Sequence, residues 1–209
     1  MLRPTMMRRK DQGDTLIEVI FAITVFSFIV VTALSLMNQG VAAAQRSLEI
    51  TVVRQQMDGQ AEVLRFLHES YVEAYRNGQV FNVDDAASTP AEEYYKIIQI
   101  VKGRISASKF GDPVSCATRD SKDFILNPIT AELVTKSDVF EEAPIYSQIT
   151  FTPDNRVLSS QGMWVEGIRS GGTGSVGYID FHIRACWDVP GSDLPMNLGT
   201  IVRLYEPRA

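Results

Sequence analysis

The sequence predicts an α+β fold: a long N-terminal helix, apolar in its first half and amphipathic in its second, packed on a mostly antiparallel β-sheet head. Three observations point there. Residues 16–37 read LIEVIFAITVFSFIVVTALSLM, apolar apart from Glu18 and a few hydroxyl side chains. Apolar residues then recur at three- and four-residue steps as far as Tyr75, the spacing of one buried helical face. Beyond Lys122 the texture changes to short alternating runs broken by Pro, Gly, Asp and Asn, as in strands joined by turns.

The first element is the apolar run. Its 22 residues make about 33 Å of helix at about 1.5 Å each, enough to cross a hydrocarbon core of about 30 Å. The head of the chain is basic: residues 1–13 carry Arg3, Arg8, Arg9 and Lys10 against Asp11 alone. Of the chain's 20 basic and 25 acidic residues, that leaves 16 and 24, so a cationic leader precedes an acidic body. The positive-inside rule keeps such a leader in the cytoplasm and puts the body on the far side. A cleavable secretory signal has an apolar core of about 7–15 residues ending in a small-x-small site; this span is too long, and a charged residue sits at its start. No Lys/Arg block occurs after residue 13, which argues against a nucleic-acid surface.

Glu18 stands inside the apolar run, where an unpaired carboxylate is costly. One reading is that it reaches up to headgroups, one turn from the interface. The other is that it has a partner. The stretch Gly13-Asp14-Thr15-Leu16-Ile17-Glu18-Val19 resembles the prepilin signal of the type IV pilin family, with a basic leader ending in Gly and Glu five residues later. The resemblance implies that a prepilin peptidase cuts between Gly13 and Asp14 and that Glu18 serves assembly. The family's mature chains most often begin with Phe, where this chain has Asp14, which leaves N-methylation of the new terminus open. The motif covers about the first 40 residues.

The resemblance divides the chain into a leader at 1–13, a membrane and polymerisation helix at 14–40 and an extracellular head at 41–209. Implied partners are other pilin subunits, the prepilin peptidase, an inner-membrane assembly platform and the membrane itself. The implied role is that of a pilin or minor pilin, in filaments of the kind used for attachment and twitching motility. A pseudopilin of a secretion or DNA-uptake machine is the alternative within the family. Outside it stands a single-pass anchored adhesin or ligand-binding protein, which needs no Glu18.

After Met37 the helix is expected to run on to Arg76. Met57, Ala61, Leu64, Leu67 or His68, Tyr71 and Tyr75 line the apolar face, and Arg54, Gln55, Asp58, Glu62, Arg65 and Glu69 the polar one. Gly40 and Gly59 are candidate bends, and Asn77-Gly78 is a stop signal. Thr89-Pro90-Ala91-Glu92 announces a second helix with a capping box and Pro at its first position, ending at Gly103. Tyr94, Ile97, Ile98 and Val101 form its stripe. Ile149 and Phe151 alternate ahead of a Pro153-Asp154-Asn155 turn. Tyr178–Trp187 is the clearest strand, with Ile179, Phe181, Ile183, Ala185 and Trp187 on one face. Pro190-Gly191 marks a turn, and residues 200–205 a last strand.

The remaining motifs carry little chemistry. Gly172, Gly174 and Gly177 satisfy G-x-G-x-x-G, but a strand follows where a dinucleotide site needs a helix, so a hairpin loop is the better reading. His68 and His182 lack catalytic partners in any recognisable spacing, and no catalytic residue, cofactor or metal site is expected. The acid pairs Asp84-Asp85, Glu92-Glu93 and Glu141-Glu142 read as exposed faces. Trp164 and the tyrosines are candidates for an adhesive patch, whereas Trp187 belongs with the core. Cys116 and Cys186 are the only cysteines; an even count in an exported body favours a disulfide over two buried thiols.

Protein extracted from the membranes of cells with an active prepilin peptidase is expected to begin at Asp14. N-terminal sequencing or intact mass reads this directly, and a chain still starting at Met1 contradicts the family resemblance.

Overall fold

The computed structural model describes residues 16–81, 89–102, 116, 121–170, 177–189 and 194–207. Two helices come first: α1, Leu16–Arg76, and α2, Pro90–Val101. Eight strands follow: β1 Ile125–Leu126, β2 Leu133–Val134, β3 Phe140–Glu141, β4 Gln148–Phe151, β5 Val157–Gln161, β6 Met163–Ser170, β7 Tyr178–Trp187 and β8 Met196–Tyr205. They form three small sheets, β1-β2, β3-β5-β4 and β6-β7-β8. All pairings are antiparallel except β3 with β5. The class is α+β, a long helix with antiparallel sheets packed on its second half. The chain divides into two compact units, Met1–Leu48 and Glu49–Ala209.

α1 continues through Gly40 and Gly59 and stops where the sequence signals a stop. Gly78 takes a left-handed conformation, φ 71°. Its N–H donates to the Tyr75 carbonyl at 3.1 Å and the Gln79 N–H to the Ala74 carbonyl at 3.0 Å. This Schellman arrangement satisfies carbonyls that the helix end would orphan. The buried face of α1 is Val53, Met57, Gln60, Ala61, Val63, Leu64, Leu67, Tyr71 and Ala74. Tyr75, expected on that face, is exposed, and Ala74 takes its place. The six polar residues expected on the other face are all exposed.

At α2 the Glu92 N–H donates to Thr89 Oγ1 at 3.4 Å and the Thr89 N–H to Glu92 Oε2 at 2.7 Å, completing the capping box. Glu92 and Glu93 are therefore buried, contrary to the exposed face read from sequence. Glu93 accepts from the Leu133 N–H at 2.9 Å and pairs with Lys96 at 2.9 Å, tying α2 to β2. Glu141 and Glu142 are exposed, whereas Asp84 and Asp85 lie outside the described residues. So do Gly103, Pro190 and Gly191.

The core collects Leu64 and Leu67 of α1, Tyr94, Ile97 and Val101 of α2, and one face of β6-β7-β8. On β7 that face is the expected one, Ile179, Phe181, Ile183, Ala185 and Trp187, all buried. Tyr94 is central, its ring 5.3 Å from His68, edge-on, and 5.3 Å from Tyr71, tilted, and edge-on to Phe181 at 6.3 Å. Burial holds its phenol far above the ordinary range for tyrosine. α2 lies close on β6 at Gly167, where any Cβ would overlap the Val101 side chain. β8 begins at Met196, four residues before the expected start at 200. Ile149 and Phe151 sit in β4, and Asn155 takes φ 61° in the turn that follows.

Side-chain amides of α1 join helix to strands. Gln60, fully buried, donates to the Leu126 carbonyl at 2.6 Å and accepts from the Leu126 N–H at 2.9 Å. Gln56, one turn earlier, accepts from the Ile149 N–H of β4 at 2.8 Å. Gln60→Leu keeps the volume but strands two buried backbone groups, each costing about 1–3 kcal/mol. Chemical denaturation is expected to show a loss of roughly 2–5 kcal/mol, against less than about 1 kcal/mol for Glu69→Ala on the exposed face.

Candidate functional site

The first half of α1 is the candidate assembly and anchoring element. Every residue from 16 to 48 is exposed, among them Leu16, Phe21, Phe26, Phe28, Leu34 and Met37. Consecutive residues such as Ile29, Val30 and Val31 are all apolar and all exposed, so the apolar surface runs right round the helix. A helix apolar on every side belongs inside a core, a bundle or a bilayer. This is the one helix among the described residues long and apolar enough to cross a membrane.

Its hydroxyl side chains suit that surface. Thr24 Oγ1 donates to the Ile20 carbonyl at 2.7 Å, Ser27 Oγ to Ile23 at 2.8 Å and Thr32 Oγ1 to Phe28 at 2.7 Å. Each O–H is satisfied one turn back along its own helix, so none needs water. Glu18 is the single acidic residue of the first turn and is exposed. No neighbouring side chain of the same helix offers it a cation: residues 16–45 contain no Lys or Arg. Gly13 and Asp14, the other members of the sequence motif, lie outside the described residues.

In Glu49–Ala209, Cys116 and Cys186 are joined in a disulfide with Cα atoms 5.5 Å apart, a separation normal for the bond. Cys186 stands on the face of β7 opposite the core, in the row of Asp180, His182 and Arg184. That outer face is not all wet. Glu166 of β6 and Arg184 are buried and paired at 3.1 Å, and Trp164 Nε1 donates to the same carboxylate at 2.8 Å. Sequence reasoning missed this pair, although Trp164, Glu166 and Ile168 alternate with the core residues Met163, Val165 and Gly167. With Trp164 and Trp187 both buried, neither belongs to an adhesive patch.

Farther along the same face Arg203 of β8 donates twice to Asp180, at 2.7 and 2.8 Å, and lies 4.0 Å over the Tyr178 ring. Those hydrogen bonds push its guanidinium still higher than usual. His68 contacts the Tyr205 carbonyl through Nε2 at 2.8 Å, which places it in a structural link between α1 and β8. Gly177 precedes β7, whose Tyr178 pairs with Ser170 of β6, so the glycine-rich stretch joins two antiparallel strands; Gly172 and Gly174 lie outside the described residues. Among the described residues no cluster of three or more His, Cys, Asp or Glu is arranged to hold a metal ion.

No protein-family model, curated protein or solved structure matches this chain.

The disulfide closes a span of 70 residues. The chain-entropy relation for a loop of that length gives roughly 4 kcal/mol. Replacing both cysteines by Ser is expected to lower the unfolding free energy of the full chain by about that much. Matched denaturation curves of wild type and variant, both without reductant, measure it.

Proposed function

We propose that this chain is a structural, non-enzymatic subunit of a type IV pilus-like filament. It is made as a membrane-anchored precursor, cut after Gly13 and assembled through its N-terminal helix. The observation that carries this reading is the exposed apolar surface of residues 16–37, interrupted near its start by the lone carboxylate of Glu18. A bilayer covers such a surface before assembly, and a bundle of like helices covers it afterwards. The basic leader would lie in the cytoplasm and Glu49–Ala209 outside. A disulfide suits that oxidising side. A plain single-pass anchor accounts for the apolar span but gives Glu18 no task.

Cutting after Gly13 frees an amino group at Asp14. Within one chain that cation and Glu18 are separated by the first turn of helix. Between staggered neighbours, each Glu18 meets the next subunit's amine in a low-dielectric bundle. The pair offsets two desolvation costs together, whereas a lone carboxylate there carries a penalty of several kcal/mol. Its main effect is on register, setting how far an incoming subunit slides. The Asp14 carboxylate competes for the same amine and is itself favoured at the helix N-terminus.

Glu18→Gln and Glu18→Val are expected to leave synthesis, membrane insertion and head folding intact. Incorporation into filaments should fall by roughly tenfold or more, a factor that corresponds to about 1.4 kcal/mol. Shearing filaments from wild-type and variant cells and comparing the sheared and membrane fractions tests this. Equal incorporation removes the case for Glu18, and absence of the wild-type chain from the sheared fraction removes the filament reading.

A further inference from the structure

The sheet β6-β7-β8 has two edges, and they differ. In β7 and β8 the paired residues alternate between exchanging backbone hydrogen bonds and pointing away. The Glu206 N–H donates to the Gly177 carbonyl at 2.9 Å, in the same register as the Tyr178–Tyr205 pairing. Even-numbered residues of β8 therefore bond to β7, and the N–H and C=O groups of Asn197, Gly199, Ile201, Arg203 and Tyr205 point outward. The Tyr205 carbonyl is taken by His68. Among the described residues, no group bonds the outward backbone of the other four, and all four residues are exposed.

The β6 edge is covered over its first half. Val165 exchanges two backbone bonds with Phe124, at 2.8 and 3.1 Å, and Ser160 Oγ donates to the Met163 carbonyl at 2.6 Å. β8 has none of the usual defences of an open edge. It is ten residues long, contains no Pro or Lys, and pairs with β7 without a register shift. Its one charge, Arg203, is turned sideways onto Asp180.

We propose that β8 pairs antiparallel with β8 of a second copy of this chain, about a two-fold axis at Thr200. This goes beyond the filament reading and stands without it. The occupant is chosen by self-complementarity. In this register Asn197 faces Arg203, and Gly199 faces Ile201, of the other copy. Four outward residues in each of two copies supply eight N–H donors and eight acceptors, and all of them pair. The next residue along explains where the ladder stops. Tyr205, whose carbonyl is already used, falls opposite Pro195, which has no N–H to give. On the outer face the exposed Ile201 covers the bare backbone of the other copy's Gly199, and Arg203 meets a neutral amide rather than another cation. A two-fold contact of this kind consumes both edges and does not propagate.

The test uses the full chain in detergent and the fact that its native cysteines are bonded to each other. At the axis Thr200 faces Thr200 in a non-hydrogen-bonded pair, with Cα atoms about 4.5 Å apart, within disulfide range. Thr200→Cys is expected to give a symmetric cross-linked dimer on mild oxidation, at least tenfold above Ile201→Cys. In the proposed register, two copies of residue 201 lie diagonally apart, beyond the reach of about 7 Å. Adding Ile201→Lys, which puts two cations at the axis, is expected to cut the Thr200→Cys yield about tenfold. Should Thr200→Cys fail to fold, hydrogen exchange of the wild-type chain decides. The amides of Asn197, Gly199, Ile201 and Arg203 should become protected as concentration rises. Several outcomes overturn the proposal: cross-linking through Ile201→Cys instead, capture of a different protein, or exchange that is fast at every concentration. Protection that does not change with concentration would put a segment of the same chain on the edge and overturn it too.

Discussion

The fold of Glu49–Ala209 depends on how buried backbone groups find partners, and Gln60 is the residue on which most of that rests. β1 is two residues long and its partner β2 is no longer, too short to satisfy or hold themselves. The Leu126 backbone is nevertheless fully buried, and the amide of Gln60 answers both its donor and its acceptor. The side chain takes the place of a neighbouring strand. Because Gln60 sits on a helix that also presents Leu64 and Leu67 to the core, the hydrogen bonds and the apolar packing specify the same docking position. Gln56 toward β4 and His68 toward β8 extend that line, at steps of four and eight residues along one helical face. Three separate sheets are thus referred to one helix by polar contacts placed inside an apolar stripe.

The arrangement explains why the sheets can be small. A sheet of two or three strands buries little by itself, and its stability comes from what covers it. α2 repeats the device: Glu93 accepts from the Leu133 backbone while Tyr94, Ile97 and Val101 fill the core beside it. The Glu92 side chain is spent on its own cap. Gln56, Gln60, His68 and Glu93 are each held by a partner in a different element, so displacing one element strands a polar group in another. That is a source of cooperativity distinct from hydrophobic burial.

Much of this was legible in the sequence. Periodicity located α1 to within a residue at either end, the Thr89–Glu92 box marked the start of α2, and alternation gave the facing of β7. The failures have a common physical origin. Glu92 and Glu93, read as an exposed pair, are polar types that suggest solvent; a helix cap satisfies the first inside and tertiary partners the second, and Gln60, which periodicity left unassigned, is buried on the same terms as Glu93. Glu166 and Arg184 are the same case in the sheet, one charge cancelling another where neither could stay alone. Trp164 followed them inside, its N–H committed to Glu166. The short strands β1, β2 and β3 have no periodicity to read; they exist because neighbours accept their hydrogen bonds. As for the candidate site, residues 16–37 were legible as an apolar helix from composition alone, while the back-bonding of Thr24, Ser27 and Thr32 needed coordinates.

Polar satisfaction also separates the parts of the chain that are finished from those that are not. Past its first turn and as far as Leu34 the helix answers its own backbone, and the hydroxyls of Thr24, Ser27 and Thr32 answer themselves, so a dry environment costs that stretch little in hydrogen bonds. What it lacks is cover for its apolar surface and a counter-charge for Glu18. In Glu49–Ala209 the described residues gather a buried apolar core, and the open feature of its sheet β6-β7-β8 is the run of outward backbone groups on β8. The two deficits differ in chemistry and so call for different remedies. The first needs surroundings without water and one cation, and in the proposed filament neighbouring subunits would supply both together. The second needs an extended backbone of matching length and no bulky obstruction, and it is indifferent to hydrophobicity. A partner fitted to one would not answer the other, which is why anchoring and edge pairing can be altered separately in the same chain.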